Sequence, residues 1–437
     1  MTFRQTIISL SLISLCGSVL CQNPDKTSDS ILEAVKDGNM QKVLAYLAKG
    51  GDVNCRGAFG YTPLITAAKF SQLEIARVLC ARGADLNAAT AVAELYGEWG
   101  STPLLWAARN CHMEMARLLI SNGADVGRSG GEGDTALMVA SEKDCKSLVG
   151  LLVEKGADIN AIREFDGASA LIEAVKNGCL DIADYLIRKG ANQNTKDRDG
   201  RSLLTLSARN HHFAQVRYFI EKGLSMNDQD KYGCTALYHA VGSSLESQYI
   251  LEYLIQHGAN TRLKDKRGIS PLMIASYKGL EAEAKLLINS GALINESDSA
   301  GETPLHFACR GLSQPTDPLG AAPDATIELL LEKGASVNEA DYDGKTPLMI
   351  SARGDVSEVV GNLLDKGADP DIQDKEGWTA LMRAAEWNST AVIKVLAQRG
   401  ADLNLRNSKG ETALAVAKKK QSSAQACELL KSLGARY

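Results

Sequence analysis

The amino-acid sequence predicts an all-α solenoid, in which short helix pairs stack one after another along the chain. A glycine followed by a Thr/Ser-Pro/Ala-Leu-like tripeptide recurs eleven times, mostly every 33 to 35 residues. About twenty residues after most of these tripeptides comes Gly-Ala-Asp-x-Asn or a relative of it. Stacked repeats grow by addition rather than around one core, so the 437 residues need not divide into several globular domains.

The recurring glycines, called the repeat glycines below, are Gly60, Gly100, Gly133, Gly167, Gly200, Gly233, Gly268, Gly301, Gly344, Gly377 and Gly410. The Thr or Ser of the following tripeptide is predicted to cap a first helix by accepting a bond from a free N–H near its start. Proline suits the first helical position because it lacks a donor that would be unpaired there. Each repeat glycine therefore precedes a helix.

A second helix is predicted after each first one. In the first complete repeat, Ala67 and Ala68 allow the first helix to pack closely, and the second carries an apolar stripe at Ile75, Val78 and Leu79. Gly83, at the start of Gly83-Ala-Asp-Leu-Asn87, is predicted to end that helix in a left-handed turn. One such unit has too little core to be stable alone, so neighbouring repeats must supply the packing.

The two motifs and their period resemble the ankyrin repeat. The resemblance extends from Ile31 to the C-terminus, and a half-match at Ile31 to Asn54 brings the expected number of repeats to about twelve. We therefore expect an ankyrin-repeat domain over residues 30–437, with helix–turn–helix pairs joined by β-hairpin-like loops. Insertions near residues 88–99 and 312–323 are expected to form loops, which in solenoids often lie on the binding face.

The N-terminal segment is predicted to be a secretory signal peptide over residues 1–21, followed by a short linker over residues 22–29. One positive charge, Arg4, precedes about fifteen uncharged and mostly apolar residues, and a polar stretch follows. This organisation favours a secreted or periplasmic protein. Retention of the leader as an anchor, or lipidation at Cys16 or Cys21, is the alternative and would give a membrane-anchored form.

The resemblance implies that a protein partner contacts the hairpin tips and the inner helix. The variable positions in that family are −2, −1, +1, +9 and +10 relative to the repeat glycine. These positions hold ten of the 23 aromatic residues of this chain. Exposed aromatic side chains are enriched at protein interfaces. The predicted aromatic contacts are Phe59, Tyr61, Phe70, Trp99, Phe165, Tyr232, Tyr277, Tyr342, Trp378 and Trp387.

The same positions carry 18 Lys or Arg against 11 Asp or Glu, whereas the whole chain has a net charge of −5. A basic binding groove on an acidic body is therefore expected, and its partner should present an acidic surface. The negative net charge excludes general electrostatic binding of nucleic acid. The predicted basic contacts are Arg109, Arg198, Arg201, Arg209, Lys266, Arg267 and Lys345. One elongated partner surface or two separate patches would fit.

No catalytic or cofactor-binding motif is present. The six histidines lack the spacing of a metal site, and no phosphate-binding loop or nucleophile elbow occurs. By the resemblance, His306 is a structural residue bonded within its repeat. We therefore expect no enzyme activity, no cofactor, no metal and no small-molecule substrate.

Eight cysteines remain after the leader, and Cys111, Cys145 and Cys179 are each 34 residues apart. Neighbouring packed helices lie about 8–10 Å apart, whereas a disulfide needs Cα atoms within about 7 Å. Bridging between repeats is thus strained, although a nearby turn could close the distance. The sequence is therefore compatible both with free thiols and with disulfides at these positions.

The sequence as a whole predicts a protein-interaction scaffold that acts outside the cytoplasm. Polar residues at both ends of the repeat region resemble solvating caps, which favours a monomer. Two alternatives remain, a membrane-tethered scaffold and a regulator or inhibitor of a partner enzyme. The partner itself is not identifiable from the residues.

Overall fold

The computed structural model describes residues 26–91, 99–312, 323–354, 356–420 and 424–436. Over these ranges the chain forms 24 α-helices in twelve consecutive pairs, which confirms the all-α repeat architecture. The chain divides into two compact units, residues 1–198 and residues 199–437. The predicted signal peptide lies outside the described residues, as do residues 92–98 of the first insertion and 313–322 of the second.

Unit 1 contains five helix pairs. The helices are α1 (Lys26–Lys36), α2 (Met40–Ala48), α3 (Pro63–Lys69), α4 (Leu73–Ala81), α5 (Pro103–Arg109), α6 (Met113–Ser121), α7 (Ala136–Glu142), α8 (Lys146–Glu154), α9 (Ala170–Lys176) and α10 (Leu180–Arg188). The first helices of successive pairs pack against one another. Helix α1 begins at Lys26, inside the segment predicted as a linker, because its apolar positions already pack on the next pair: Ile31 and Val35 are buried.

Unit 2 contains seven pairs. The helices are α11 (Leu203–Arg209), α12 (Phe213–Glu221), α13 (Ala236–Ala240), α14 (Leu245–Gln256), α15 (Pro271–Tyr277), α16 (Glu281–Asn289), α17 (Pro304–Gly311), α18 (Pro323–Glu332), α19 (Pro347–Ser351), α20 (Ser357–Asp365), α21 (Ala380–Glu386), α22 (Thr390–Gln398), α23 (Ala413–Lys419) and α24 (Ala424–Ser432). The second insertion falls between α17 and α18, as its position in the sequence predicts.

The predicted helix caps are present. In ten first helices the Thr or Ser hydroxyl accepts a hydrogen bond from the N–H three residues later; these caps are Thr62, Thr102, Thr135, Ser169, Ser202, Thr235, Ser270, Thr346, Thr379 and Thr412. The eleventh, Thr303, is bonded to Nδ1 of His306 instead, and Nε2 of that ring lies 3.1 Å from the Lys345 carbonyl. The histidine thus joins two repeats.

The core lies between successive helix pairs. Leu64, Ala67, Ala68, Ile75 and Leu79 are almost completely buried, as the repeat pattern predicts, whereas Val78 is only half-buried at the edge of the stripe. Small alanine side chains on the first helix allow the neighbouring first helix to pack close to it.

The loops that carry the repeat glycines, called the hairpin loops below, are joined by main-chain hydrogen bonds. The Ala91 amide donates to the Phe59 carbonyl at 2.9 Å, and Arg198 donates to Asp166 at 2.8 Å. The repeat glycine permits this approach, since a Cβ on Gly167 would lie 2.6 Å from the Arg198 nitrogen. Its φ of 72° is also a conformation that glycine adopts without strain.

A second set of hydrogen bonds between repeats is formed by the Gly-Ala-Asp-x-Asn motif. The role of its asparagine was not predicted from the sequence. The Oδ1 atom of Asn54 accepts from the Asp85 amide of the next repeat at 2.7 Å. The Asp85 carboxylate in turn accepts from Asn87 within its own motif, at 2.9 Å. Equivalent bonds join Asn160 to the Asn192 amide and Asn338 to the Asp369 amide. The motif therefore fixes the spacing between repeats.

Cys111 and Cys145 form a disulfide bond in unit 1, with Cα atoms 5.4 Å apart. The strain expected from the helix spacing is avoided because the two residues are not equivalent. Cys111 lies eleven residues after Gly100, at the turn between α5 and α6, and Cys145 lies twelve after Gly133. The corresponding turn residue of another repeat, His211, reaches Ser247 by a 3.0 Å hydrogen bond. The disulfide replaces such a contact.

We expect reduction of this bond to destabilise unit 1. A disulfide that closes a loop of 34 residues restricts the unfolded chain, and its loss costs about 3–4 kcal/mol in the chain-entropy description. Urea unfolding of the Cys145→Ser variant should therefore have a lower midpoint than wild type, and a reductant should not lower it further. Cys179→Ser is the matched control and should keep the reductant-sensitive midpoint. Equal midpoints for wild type and Cys145→Ser would contradict the expectation.

Candidate functional site

The hairpin loops and the ends of the first helices expose aromatic side chains. Seven of the ten predicted aromatic contacts are exposed, namely Phe59, Phe70, Trp99, Phe165, Tyr232, Tyr342 and Trp387. Tyr277 and Trp378 are half-buried. In soluble proteins, exposed aromatic residues that cluster on one structural element mark interaction surfaces. The repeat frame thus places most of these residues where a partner could reach them.

Tyr61 is a correction to the predicted set. Its side chain is only 8% exposed, because it lies at the base of the loop that leads into α3. The Lys69 ammonium donates to its hydroxyl at 2.7 Å and also lies 4.7 Å from the ring centroid. Tyr61 therefore stabilises the hairpin loop and is not available as a surface contact.

The predicted basic residues are mostly bound within the protein. Arg109, Arg201, Arg267 and Lys345 each lie within 4.0 Å of a carboxylate. Arg198 donates to the Phe165 carbonyl at 2.7 Å. The closest of these ion pairs, Arg201 with Asp199 and Lys345 with Asp343, are 2.7 Å long. The positive charge of the hairpin loops is therefore partly neutralised by neighbouring aspartates, which a count of charges along the sequence does not reveal.

Arg163, which the sequence analysis did not single out, organises the charges of unit 1. It pairs with Asp134, with Asp166 at 2.7 Å and with Glu173 at 2.6 Å. Burial alone would raise the pKa of Asp166, but the hydrogen bonds from Arg163 and the Ala168 amide, together with the charges of Arg163 and Lys176, outweigh it and lower that pKa to about 2. The guanidinium also lies 5.0 Å from the Phe165 ring centroid. Because it is held by three acids, Arg163 is a positioning residue for this hairpin loop.

A cleft of about 840 Å³ opens in unit 1 between the hairpin loop at Gly133 and the following one at Gly167. It is lined by Gly127, Ser129, Gly130, Gly131, Glu132, Gly133, Thr135, Met138, Ala161, Ile162, Glu164 and Phe165. Four glycines in seven residues leave one wall almost without side chains. The Trp99 ring lies against Gly131, where a Cβ atom would collide with it. The cleft thus results directly from the local glycine content.

The hairpin loop at this cleft lacks a bond that stabilises the loops of unit 2. In unit 2 an aspartate three residues before the repeat glycine accepts two amides: Asp230 Oδ1 accepts from Tyr232 and Cys234, both at 2.9 Å. Gly130 occupies that position at the cleft. Its main-chain bond to Asp134 is retained at 2.8 Å, but it has no carboxylate to offer.

Asp230, Cys234 and His239 bring three possible metal ligands together in unit 2, with donor atoms all within 4.8 Å of one another. The arrangement is better explained as an ion-pair network. His239 Nε2 lies 3.1 Å from Asp230 Oδ2, and Arg201 lies 3.8 Å from the same oxygen. At the equivalent place in another repeat, Arg383 pairs with Asp374 at 2.8 Å. In both repeats the aspartate at this position is thus bound by a basic side chain six residues after the repeat glycine, His239 in one and Arg383 in the other.

No helix in the described ranges combines the length and the apolar character needed to cross a bilayer. This finding leaves the predicted leader untested, since residues 1–25 are outside those ranges.

Comparison with known families gives matches along almost the whole chain. A family model described as ankyrin repeats (3 copies) matches residues 11–90, 31–129, 89–163, 128–197, 171–265, 245–315, 320–374 and 354–437. These overlapping segments include both units and agree with the twelve helix pairs.

Individual relatives resemble shorter stretches. The chain is 33% identical over 89 residues to the human mitochondrial disaggregase, and 42% identical over 88 residues to mouse Rabankyrin-5. It is 40% identical over 63 residues to the putative ankyrin repeat protein YahD of Escherichia coli strain K12. These matches cover 20%, 19% and 14% of this chain, and 12%, 8% and 31% of the respective relatives. The similarity is thus confined to a few repeats and reaches less than a third of each relative.

The buried His306 and the half-buried His239 should make unit 2 less stable in acid. Burial lowers the pKa of His239, which Asp230 only partly offsets, and burial lowers the pKa of His306 against the opposing bond to the Lys345 carbonyl. The unfolded chain therefore binds protons more readily than the folded one below about pH 6.5. The free energy of unfolding should fall as the pH decreases, by up to about 1.4 kcal/mol per unit for each ring.

Urea unfolding measured at about pH 7.5 and about pH 5.5 tests this expectation. His239→Gln and His306→Gln should each reduce the loss of stability between the two conditions. His257→Gln, at an exposed position after α14, is the control and should leave the loss unchanged. A pH dependence that survives the double variant in full would contradict the assignment.

Proposed function

Because the chain belongs to the ankyrin repeat family, we propose that it is a scaffold that binds a protein partner through its hairpin-loop side. Ankyrin repeats generally mediate protein–protein interaction, and members of the family are typically not enzymes. The observation that carries the proposal is the exposure of seven aromatic residues at the variable positions of the repeat. A rigid, preordered surface of this kind loses little entropy on binding.

Two neighbouring repeats supply a centre for such a surface in unit 2, one through its hairpin loop and the other through the end of its first helix. Tyr342 is the most exposed of the predicted aromatic residues, at 62%. Trp387 is also more than half exposed, and the Arg353 guanidinium lies 5.2 Å from its ring centroid. Aromatic and arginine side chains are the residues that most often dominate binding energy at interfaces. This pairing supports unit 2 as part of the contact surface.

The partner of unit 2 is proposed to present an acidic surface. Lys266 and Arg267 are exposed next to the Tyr232 hairpin loop, and the Lys266 amide donates to the Tyr232 carbonyl at 2.8 Å. Arg267 shares its charge with Asp265, so Lys266 carries most of the attraction to a partner. An electrostatic contribution of this kind decreases as the salt concentration rises.

The alternative proposal is that the chain regulates or inhibits a partner enzyme, which would also require binding to another protein. One relative is named a mitochondrial disaggregase, but the match covers 12% of that protein and does not carry its activity over. Binding without catalysis is the form that the residues of this chain support. We expect one copy of the chain to act alone.

We place the protein in an oxidising compartment, secreted or periplasmic. The predicted signal peptide motivates this localisation, and the Cys111–Cys145 disulfide supports it, because such bonds persist where thiols are not kept reduced. A form held at the membrane by a retained or lipidated leader is the alternative.

The scaffold proposal predicts that the aromatic residues of unit 2 are needed for binding. The partner is first purified with the wild-type protein from its native source, and its dissociation constant is then measured for variants. Tyr342→Ala with Trp387→Ala should weaken binding at least tenfold, because such residues commonly contribute about 2 kcal/mol or more when truncated. Lys266→Glu should weaken binding at low salt and have less effect at high salt.

The matched control for this experiment is Leu245→Ala with Tyr249→Ala. Both side chains are exposed and apolar, but they lie on the second helix α14 rather than on a hairpin loop. If the control variants weaken binding as much as Tyr342→Ala with Trp387→Ala does, the contact surface lies elsewhere. Unchanged affinity in all of them would remove the support for this site in unit 2.

The localisation is tested on the protein isolated from its native source. We expect an N-terminus close to residue 22, and Cys111 and Cys145 resistant to alkylation until a reductant is added. Intact-mass measurement gives both results, and an added lipid mass would identify the anchored form. A chain that keeps residue 1 and has both thiols free would contradict an oxidising compartment.

A further inference from the structure

The cleft of unit 1 differs in character from the hairpin loops of unit 2. Ile162 and Phe165, on one wall, are each more than half exposed. On the opposite wall are the glycines of the Gly133 hairpin loop, which expose the main chain. Trp99 stands beside that wall, with its ring against Gly131 and half of its surface in solvent. Apolar side chains therefore flank the cleft on both sides, and the glycine-rich wall between them exposes main-chain peptide groups.

The charge at the cleft is negative and is not neutralised there. Glu132 and Glu164 line the cleft from its two walls. In the described part of the chain no Lys or Arg pairs with either of them. Of the basic residues nearest in sequence, Arg163 is already held by Asp134, Asp166 and Glu173, and Arg128 is exposed outside the set of residues that line the cleft. A ligand that brings positive charge would find two carboxylates available.

The missing aspartate leaves two main-chain donors without their usual acceptor. In unit 2 the equivalent amides are those of Tyr232 and Cys234, and both donate to Asp230 Oδ1. At the cleft these positions are Glu132 and Asp134. At the cleft, Gly130 provides nothing in place of that carboxylate. A neutral carbonyl oxygen suits these donors better than a ligand carboxylate, because Glu132 and Glu164 already supply negative charge nearby.

From these features we propose that the cleft binds an extended, basic segment of a protein partner. A main-chain carbonyl of the segment accepts from the hairpin amides, and an apolar side chain packs between Ile162 and Phe165. Flanking Lys or Arg side chains reach Glu132 and Glu164. The volume of about 840 Å³ is in the range of established ligand clefts. This inference rests on the proposed scaffold function and adds the chemistry of one bound segment.

The charge of the cleft is opposite to the charge of the surface proposed in unit 2. Unit 2 offers Lys266 to acidic groups, whereas the cleft of unit 1 offers Glu132 and Glu164 to basic ones. The two surfaces have opposite preference, so they select for different segments. This is the pattern of two separate patches rather than one uniform basic groove.

A phage-displayed library of random dodecapeptides, selected on the full-length protein, tests the proposal. Enriched peptides should carry Lys or Arg on both sides of an aromatic or branched aliphatic residue. A fluorescein-labelled copy of the most enriched peptide then gives dissociation constants by fluorescence anisotropy. Glu132→Lys with Glu164→Lys should weaken its binding at least tenfold.

Gly130→Asp is the second variant, because it restores the carboxylate present in unit 2. Gly130 does not have a positive φ, and the nearest atom to a Cβ there would be the end of the Leu105 side chain at 3.2 Å, with the Gly100 and Trp99 carbonyl oxygens at 3.7 Å. The variant should therefore fold, with a thermal midpoint no lower than wild type, and should bind the peptide at least fivefold more weakly. Glu376→Lys, the position equivalent to Glu132 in a repeat of unit 2, is the control and should bind as wild type.

Acidic enriched peptides, or equal affinity of wild type and both cleft variants, would overturn the proposal. So would a library that yields no peptide dependent on the cleft. The outcome is separable from that of the scaffold function. A native partner that is lost by Tyr342→Ala with Trp387→Ala, yet bound normally by the cleft variants, would retain the scaffold and remove the cleft.

Discussion

The close approach of successive hairpin loops is the constraint on which each unit depends. At nine described boundaries a repeat glycine with positive φ brings its loop against the next one, where a main-chain N–H donates across the gap at 2.7–3.0 Å. The cleft lies at the described boundary that lacks this bond, between the Gly133 and Gly167 loops. Any Cβ at Gly60 or Gly167 would enter the space of that nitrogen. The glycine is thus required by sterics as well as by backbone conformation, and it sets the spacing at which the helices must pack.

The other contacts between repeats are compatible with that spacing and strengthen it. Asparagine side chains that follow the second helix of a pair bond to the next repeat, as Asn54 does with Asp85. The disulfide between Cys111 and Cys145 fixes a third point, at the turn between the helices. Each contact crosses only one boundary, so the stability of a unit is distributed along its repeats rather than placed in one centre.

The variable side chains can differ because this scaffold does not need them. Tyr232 and Tyr342 of unit 2 and the glycine-rich wall of unit 1 lie on the same kind of loop, but the loops of unit 2 expose aromatic side chains whereas that of unit 1 has few side chains. Where Asp230 is present, the loop is closed internally; where Gly130 replaces it, main-chain donors are left for a ligand. In our proposal, replacement of one residue in the repeated backbone therefore changes what the loop binds.

Much of this protein follows from its sequence alone. The period, the Thr or Ser caps and the repeat glycines determine the helix pairs and their number, because those features act over a few residues. The sequence also identified most of the exposed aromatic positions through the repeat frame.

Only the tertiary structure decided how those positions are used. Tyr61 is buried by Lys69, the basic residues pair with aspartates, and Cys111 reaches Cys145 because one lies a residue earlier in its repeat. The cleft appeared in the sequence only as a glycine-rich stretch that failed to match a phosphate loop. All of these depend on residues that meet across a repeat boundary, and the distance between such residues is set by packing rather than by local sequence.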